Sequence, residues 1–311
     1  ETTGLSGGTG TWVILAGLGS YEDRAFRMRQ YFLADIAHER AMLAMLAADL
    51  ARFEGLVTYN GRAFDMPFVQ ARMTLGRVSY PCGGHAHFDL LHVARRLFRH
   101  RLAACRLADV ERHLLRVDRE DDVPGSVIPS LYFDYVRSGR VAPLRGLFRH
   151  NAEDVLSLVG ILAACARLLA TADLDPDDAI AAGRYWEHAG QPDRAGALYC
   201  GALPWLEGGD DWSWVASRYA RLCKRAGRQD EAQPLWEQLW AEGDRAAGLE
   251  LAKHYEHKRR DDASARRVAA ALLHGAPPGE HEGLRARLAR LDRKLAHRAA
   301  LGRSPRGESL E

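Results

Sequence analysis

The sequence contains no long apolar run. A transmembrane helix needs about 18 or more consecutive apolar residues, and no stretch of this chain reaches that length. The first residues also lack the basic and apolar segments of a signal peptide. With 47% hydrophobic and 27% charged residues, the composition is typical of a soluble globular protein. No membrane partner is expected.

Cysteine is scarce, and the few cysteines are scattered. There are five of them, an odd number, and no two form a Cys-x-x-Cys pair. This pattern disfavours a disulfide framework and a zinc site. It predicts free thiols in a reducing compartment, and therefore a cytoplasmic protein. The cysteines are Cys82, Cys105, Cys165, Cys200 and Cys223.

Lysine is absent from the first 170 residues, where 21 arginines accompany 18 acidic residues. The remainder has 22 basic and 23 acidic residues, and the formal charge of the whole chain is only +2. Arginine suits bidentate contacts with phosphate. The same residues also suit solvated helix faces, so composition alone leaves both interpretations open.

A chain of 311 residues is long enough for two domains. The first, residues 1–172, begins with strand-like segments. Trp12–Gly19 and Ala25–Leu33 predict a β-hairpin, Ile36–Phe53 predicts an amphipathic helix, and Leu56–Tyr59 predicts a short buried strand. This order favours an α/β fold in which helices flank a mixed sheet.

More helices follow in the same domain. Asp65 and Asp89 occupy the positions of N-cap residues, so each predicts a helix start. The last long helix is predicted to begin at Ala152, directly after His150 and Asn151. The other predicted helices are Leu107–Leu115, Ser130–Ser138 and Pro143–Arg149.

The second domain, residues 173–301, is predicted to be a set of helical repeats. Three segments with small residues and a following turn align at Gly190, Gly227 and Arg260, which are 37 and 33 residues apart. The helix-turn-helix pattern and a period of about 34 residues resemble tetratricopeptide repeats, whose units stack on one another. Leu284–Leu301 predicts a capping helix, and residues 302–311 are expected to be a disordered tail.

Carboxylates lie beside predicted strand ends and helix starts in three segments of the first domain. Glu-Thr-Thr-Gly-Leu opens the chain, Tyr-Asn-Gly-x-x-Phe-Asp ends at Asp65, and His-Asn-x-x-Asp ends at Asp154. Oxygen ligands of this kind suit hard divalent cations. Two such ions about 4 Å apart can activate water and stabilise a departing oxygen.

These three motifs, in this order, resemble those of the DnaQ-like, or DEDD, 3′–5′ exonuclease superfamily. Residues 1–170 as a whole are similar to the YprB-type ribonuclease H-like domain. The stretch from Asp122 to Pro129 shares the likeness. The resemblance implies a ribonuclease H-like fold and hydrolysis of phosphodiester bonds in single-stranded DNA or RNA with two Mg²⁺ or Mn²⁺ ions.

Carried over by motif, the resemblance implies that Glu1, Asp65 and Asp154 ligate metal. It implies that His150 orients or deprotonates the attacking water. The alternative for His150 is a cap on the helix predicted to start at Ala152. Substrate contacts are expected at the remaining motif residues, which are Thr3, Gly4, Leu5, Asn60 and Asn151. For the two asparagines, hydrogen bonds to the backbone are the alternative.

The first motif of the superfamily is an Asp-x-Glu pair at a strand end, and this sequence begins on its Glu. The resemblance therefore implies an Asp two residues before Glu1, on a strand that the given sequence lacks. We interpret the chain as trimmed inside this motif. Without that strand its neighbours would expose unpaired edges, so the isolated chain is expected to be unstable or to aggregate.

Three functional hypotheses follow. The first is a metal-dependent exonuclease whose repeats dock a protein partner. The second is an inactive nuclease-like scaffold that binds partners through the repeats, since loss of one ligand leaves the other carboxylates repelling one another. A purely helical adaptor is disfavoured by the strand-rich first domain.

Overall fold

The computed structural model describes residues 1–4, 10–119 and 122–301, so Leu5 and the predicted tail lie outside the described residues. It divides into two compact units, Glu1–Ala172 and Asp173–Glu311. The first mixes strands and helices and the second is helical, as the sequence predicts. Within the described ranges, no helix is long and apolar enough to cross a membrane.

The first unit opens with the predicted hairpin. Strands β1 (Leu15–Glu22) and β2 (Ala25–Phe32) pair antiparallel. Asp23 and Arg24 join them with left-handed φ angles of 50° and 68°, the backbone that matches a two-residue hairpin to strand twist. The chain start lies beside the entry to β1. The amide of Ile14 donates to the carbonyl of Glu1 over 2.9 Å.

A second pair of strands is separate from the hairpin. Strands β3 (Gly55–Thr58) and β4 (Ala86–Asp89) run parallel, so the unit contains antiparallel and parallel pairing, as expected of a mixed sheet. The sequence analysis missed β4, which has only four residues. Its last residue, Asp89, is the predicted N-cap, because its carboxylate accepts from the amide of Leu91.

Six α-helices complete the described part of this unit. In chain order they are α1 (Glu39–Leu50), α2 (Asp65–Leu75), α3 (Leu90–Phe98), α4 (Leu107–Leu115), α5 (Ile128–Ser138) and α6 (Arg145–Ala170). Short 3₁₀ turns precede α1, β4, α5 and α6.

Two predicted helix boundaries are wrong. Asp65 is the first residue of α2, and Phe64 occupies the cap position without a side-chain hydrogen bond. The two helices predicted around His150 form one helix, α6, so His150 and Asn151 lie within it. His150 therefore does not cap a helix start.

Glycine in β1 brings α6 close to the hairpin. A Cβ atom at Gly17 would lie 2.5 Å from Oδ1 of Asn151 and 2.8 Å from Val155. At Gly19 it would lie 2.8 Å from Val155 and 2.4 Å from Phe26. Contacts that short do not occur between real side chains, so residues with a Cβ would push α6 away. This approach places the polar turn of α6 beside the chain start.

Up to residue 301, the second unit is a succession of seven α-helices, each packed on the next. They are α7 (Pro176–His188), α8 (Pro192–Leu206), α9 (Trp212–Arg225), α10 (Gln229–Ala241), α11 (Arg245–His254), α12 (Asp262–His274) and α13 (Pro278–Leu301). The aligned repeat positions Gly190, Gly227 and Arg260 all have left-handed φ angles, of 72°, 78° and 54°. They therefore share one turn geometry, and the tetratricopeptide subtype stays a prediction.

Candidate metal centre

Three side chains converge where β1 meets α6. A carboxylate oxygen of Glu1, a ring nitrogen of His150 and a carboxylate oxygen of Asp154 all lie within 4.8 Å of one another. His150 and Asp154 are four residues apart on α6, so they occupy the same face. Nε2 of His150 is 3.6 Å from Glu1 and 3.6 Å from Asp154. Sequence motifs about 150 residues apart therefore meet at one point.

Asp65 faces the same space from another side. It begins α2 and lines a cavity of about 340 Å³ together with Glu1 and Asp154. Burial raises the pKa of its carboxyl group, and the negative charge of Glu1 raises it further. Asp65 thus shares an electrostatic environment with the three converging side chains, although it lies outside their 4.8 Å set.

The cavity runs between β1 and β3, with the carboxylates lining part of its wall. Most of its remaining lining is apolar. In the described chain β1 pairs with β2 and β3 with β4, so each keeps one edge without a second strand, apart from the bonds between Leu15 and Glu1. The apolar lining includes Val13, Leu15, Leu18, Leu46, Leu50, Leu56 and Val69.

Asp154 is held between opposing influences. Burial raises the pKa of its carboxyl group and the charge of Glu1 adds to that rise, while His150 and Arg119 lower it. Two carboxylates this close repel each other when both are ionised. A cation between them would relieve that repulsion.

Arg119 already supplies one positive charge. Its guanidinium lies 2.6 Å from Oδ1 of Asp154, hydrogen-bonds Glu111, and is 3.7 Å from Asp122. Burial by itself would lower the pKa of Arg119, but the bonds to Glu111 and Asp154 raise it above its ordinary value. The Glu111 side chain is 1% exposed, so this ion pair is an internal part of the site.

Asp122 contacts the far nitrogen of the histidine. Its Oδ1 lies 2.6 Å from Nδ1 of His150. Because a carboxylate can only accept, this contact is a hydrogen bond that Nδ1–H donates. Nε2 faces the carboxylates of Glu1 and Asp154, and the guanidinium of Arg119 lies 3.4 Å from Nδ1. His150 therefore belongs to the cluster, and the carboxylate of Asp122 orients its ring.

The sequence analysis missed Arg119, Glu111 and Asp122 as site residues. Asp122 opens the stretch that shares the family likeness, but its polar surroundings predicted only a loop. That likeness was the available signal for Asp122. Arg119 and Glu111 carry no motif, and only the folded chain brings them to the site.

The structure places Asn151 at the cavity and Asn60 elsewhere. Asn151 is buried, lines the cavity, and accepts a hydrogen bond of 3.0 Å from Gln30. Asn60 is an exposed residue with a φ of 61°. Its backbone N–H donates to the carboxylate of Asp89 over 2.8 Å, which fixes the loop after β3. Asn60 is absent from the described cavity lining.

The other predicted substrate contacts lie near the chain start. Thr3 is engaged with the backbone, because its Oγ1 accepts from the amide of Trp12 over 2.9 Å. Gly4 lies against Thr11, whose Oγ1 would be 3.2 Å from a Cβ atom there. Neither residue belongs to the described cavity lining, whereas Thr2 does.

The residues present fit one hard divalent cation. The carboxylates of Glu1 and Asp154, with oxygens this close, are donors that Mg²⁺ or Mn²⁺ accepts, and the imidazole of His150 lies beside them. The raised pKa of Asp154 is the sign of a carboxylate that lacks full compensation. Asp65, across the same cavity, supplies a further carboxylate. The arrangement can hold metal and orient a water molecule against His150.

Comparison with known proteins gives one family and one relative. Residues 1–165 match the family described as RNase_H superfamily. The chain is also 35% identical over 313 residues to "Uncharacterized protein YprB" of Bacillus subtilis (strain 168). The aligned region covers 95% of this chain and 74% of that protein. No solved structure matches the chain.

Proposed function

Since this chain belongs to the RNase H superfamily, we propose that it is a metal-dependent 3′–5′ exonuclease of the DnaQ-like type. Membership of the superfamily suggests hydrolysis of nucleic acid. The proposal adds single-stranded DNA or RNA as substrate and two Mg²⁺ or Mn²⁺ ions as cofactor. It also adds cleavage from the 3′ end.

One observation carries the proposal. Glu1, His150 and Asp154 converge within 4.8 Å, and Asp65 faces the same cavity. Four groups of the kinds that bind metal or transfer protons meet where β1, α2 and α6 come together. A core built only for stability gains little from such repelling carboxylates.

Each residue has a distinct role in this proposal. The bound cation would polarise the phosphate and lower the pKa of water. Glu1 and Asp154 would hold the cation, and Asp65 would hold a second ion. His150 would accept a proton from water at Nε2 while its Nδ1–H stays bonded to Asp122. Asn151 lines the cavity beside these groups and would contact the substrate backbone.

The remaining parts of the proposal concern the second unit and the compartment. Seven successive helices with a repeated left-handed turn support a tetratricopeptide-like arm that docks a protein partner. All five cysteines are free thiols, which supports a reducing, cytoplasmic setting.

A second candidate is an inactive nuclease-like scaffold that works through its helical unit. The Arg119 guanidinium, 2.6 Å from Asp154, favours it because the carboxylate charge is already balanced without metal. In this alternative Arg119 takes the place of a metal as the cation beside Asp154. The two candidates differ in whether Mn²⁺ displaces Arg119 from Asp154.

The test is an assay on 5′-labelled single-stranded DNA and RNA with Mg²⁺ or Mn²⁺. It uses the 311-residue chain and a version extended so that an Asp stands two residues before Glu1. Asp154→Asn is the inactivating variant, and Asp134→Asn, at an exposed carboxylate on α5, is its matched control. A ladder of shortening products that only Asp154→Asn abolishes supports the exonuclease. Silence on both substrates from folded protein that binds no Mn²⁺ supports the scaffold.

A further inference from the structure

Helices α7, α9 and α11 of the second unit form a continuous polar face through contacts between them. Glu187 of α7 binds Arg218 and Arg221 of α9, over 2.7 and 3.1 Å. Lys224 of α9 binds Glu250 of α11. The face therefore spans three helices, each contributing charged side chains. We call it the α7–α9–α11 face, and it comprises Arg184, Glu187, Trp214, Arg218, Arg221, Lys224, Glu250 and Lys253.

Positive charge is in excess on this face. Five of its side chains are basic and two are acidic, whereas residues 171–311 as a whole have 22 basic and 23 acidic residues. The two carboxylates are shared among the cations, since Glu187 serves two arginines and Glu250 serves two lysines. The excess is thus concentrated on one face of a nearly neutral unit.

Trp214 lies among these cations and organises two of them. The guanidinium of Arg184 lies 4.0 Å from the centre of the Trp214 ring, and that of Arg218 lies 4.7 Å from it. Cation–π contact holds each guanidinium in place. Arg218 also donates to Glu187, whereas Arg184 is exposed and can turn its N–H groups to an anion. An arginine held this way loses less side-chain freedom when it binds phosphate.

We propose that the α7–α9–α11 face binds single-stranded nucleic acid. The excess of three positive charges complements the phosphates of a short strand. The exposed guanidinium of Arg184, stacked on Trp214, offers a planar surface for a base, which a sequence-independent single-strand site uses. An acidic peptide would satisfy the charge, but it would make no use of the planar surface. This inference concerns the second unit and does not depend on catalysis in the first.

The test measures fluorescence anisotropy of labelled twelve-residue oligo-dT and oligo-rU. The full chain is used in EDTA, so that no metal-dependent cleavage occurs. Arg184→Gln/Arg218→Gln removes two cations from the face, and Trp214→Ala removes the aromatic surface. The matched controls are Arg285→Gln/Arg293→Gln, at exposed positions of α13, and Trp205→Ala, at a tryptophan of α8 that is 78% exposed.

We expect the double arginine variant to lose roughly tenfold in affinity. The slope of log K against log salt concentration should become less negative by about 1.4, since each lost phosphate contact to a single strand contributes about 0.7. Trp214→Ala should lose at least about fivefold in affinity, because the guanidinium groups of Arg184 and Arg218 lose the ring that holds them. Both control variants should bind like the unchanged chain. Circular dichroism checks the fold. If Trp214→Ala unfolds, the Arg184→Gln/Arg218→Gln variant still tests the inference.

Three results would overturn the inference. One is the absence of oligonucleotide binding by the unchanged chain at low salt. Another is equal binding by the face variant and its α13 control. The third is a poly-glutamate peptide that binds with the same dependence on Arg184, Arg218 and Trp214, which would assign the face to acidic proteins. Each result is independent of the nuclease assay, because no cleavage is measured.

Discussion

Oδ1 of Asp122 lies 2.6 Å from Nδ1 of His150, while Nε2 of the same ring faces Glu1 and Asp154 at 3.6 Å. The imidazole therefore bridges an orienting carboxylate and the candidate metal ligands. Such an arrangement fixes both the tautomer and the direction of the ring. The role of His150 depends on a residue 28 positions away in the sequence.

Asp122→Asn is expected to lower kcat by roughly 10- to 100-fold, because general-base catalysis contributes about 10² to 10⁴ and the imidazole remains present. KM and the affinity for Mn²⁺ should change little, since Asp122 is not in the ligand set. Nitrogen chemical shifts of His150 in the metal-free protein, at a pH where the ring is neutral, should show Nδ1–H in the unchanged chain and a tautomer mixture in the variant. An unchanged tautomer together with unchanged kcat would contradict the positioning role.

Arg119→Gln is expected to destabilise the first unit by about 3–5 kcal/mol, because it leaves buried Glu111 without its charged partner. Mn²⁺ should recover part of this loss, since the cation replaces Arg119 beside Asp154. Urea unfolding with Mn²⁺ and with EDTA measures both effects. Arg112→Gln, which breaks the exposed pair with Asp118, is the control and should leave the unfolding midpoint unchanged. Equal midpoints for the two variants in EDTA would show that Arg119 contributes no more than a surface residue.

The separate elements were easier to predict than the contacts between them. The hairpin and most long helices follow from apolar periodicity, which acts locally along the chain. The break predicted in α6 was wrong because the polar pair His150 and Asn151 looked like a boundary. In the folded chain Asn151 is buried against Gln30, 121 residues away. Local periodicity cannot show a polar pair that is satisfied by distant residues.

The site shows the same limit. Glu1, His150 and Asp154 were predicted through motifs whose residue types suit metal, and the structure brings them together. Arg119 and Glu111 lie outside every motif, and nothing in their spacing distinguishes an internal ion pair from two solvated charges. Their role depends on the burial that packing creates.

Asp65 should make the stability of the metal-free chain fall as pH rises. Its folded pKa is raised by burial, so its contribution is present below the unfolded value of about 3.9 and is lost as pH rises through the folded pKa. Asp65→Asn should therefore gain stability relative to the unchanged chain above about pH 4. Denaturant unfolding in EDTA between about pH 4 and 7 measures the difference in unfolding free energy between the variant and the unchanged chain. Titrating groups that do not interact with Asp65 contribute equally to both and cancel. With Mn²⁺ the order should reverse, because the ionised carboxylate then has a cation. A difference that stays constant with pH would contradict the raised pKa.

Gly17→Ala tests whether the approach of β1 to α6 builds the site. The new Cβ would lie 2.5 Å from Oδ1 of Asn151. Because Asn151 is buried and bonded to Gln30, we expect α6 to shift and to carry His150 and Asp154 away from Glu1. We expect Mn²⁺ affinity to fall roughly tenfold, with a loss of about 1–3 kcal/mol in stability from overpacking. Gly201→Ala, where no atom lies within 4 Å of the added Cβ, is the control and should keep metal affinity. Calorimetric titration with Mn²⁺ compares them, and equal affinities would show that the site tolerates displacement of α6.

The edges of β1 and β3 that lack a second strand predict association of the chain with itself. Both edges border an apolar cavity, and unpaired strand edges recruit other strands. We expect the apparent molar mass from light scattering to increase with protein concentration. The buffer is reducing, which excludes disulfide formation by the five free thiols as the cause. Val57→Lys, at a residue of β3 that is 41% exposed, should suppress the increase because a charge on an edge strand opposes pairing. Val141→Lys, at a residue 59% exposed and outside the strands, adds the same charge elsewhere. Equal suppression by both variants would assign the effect to net charge rather than to the β3 edge.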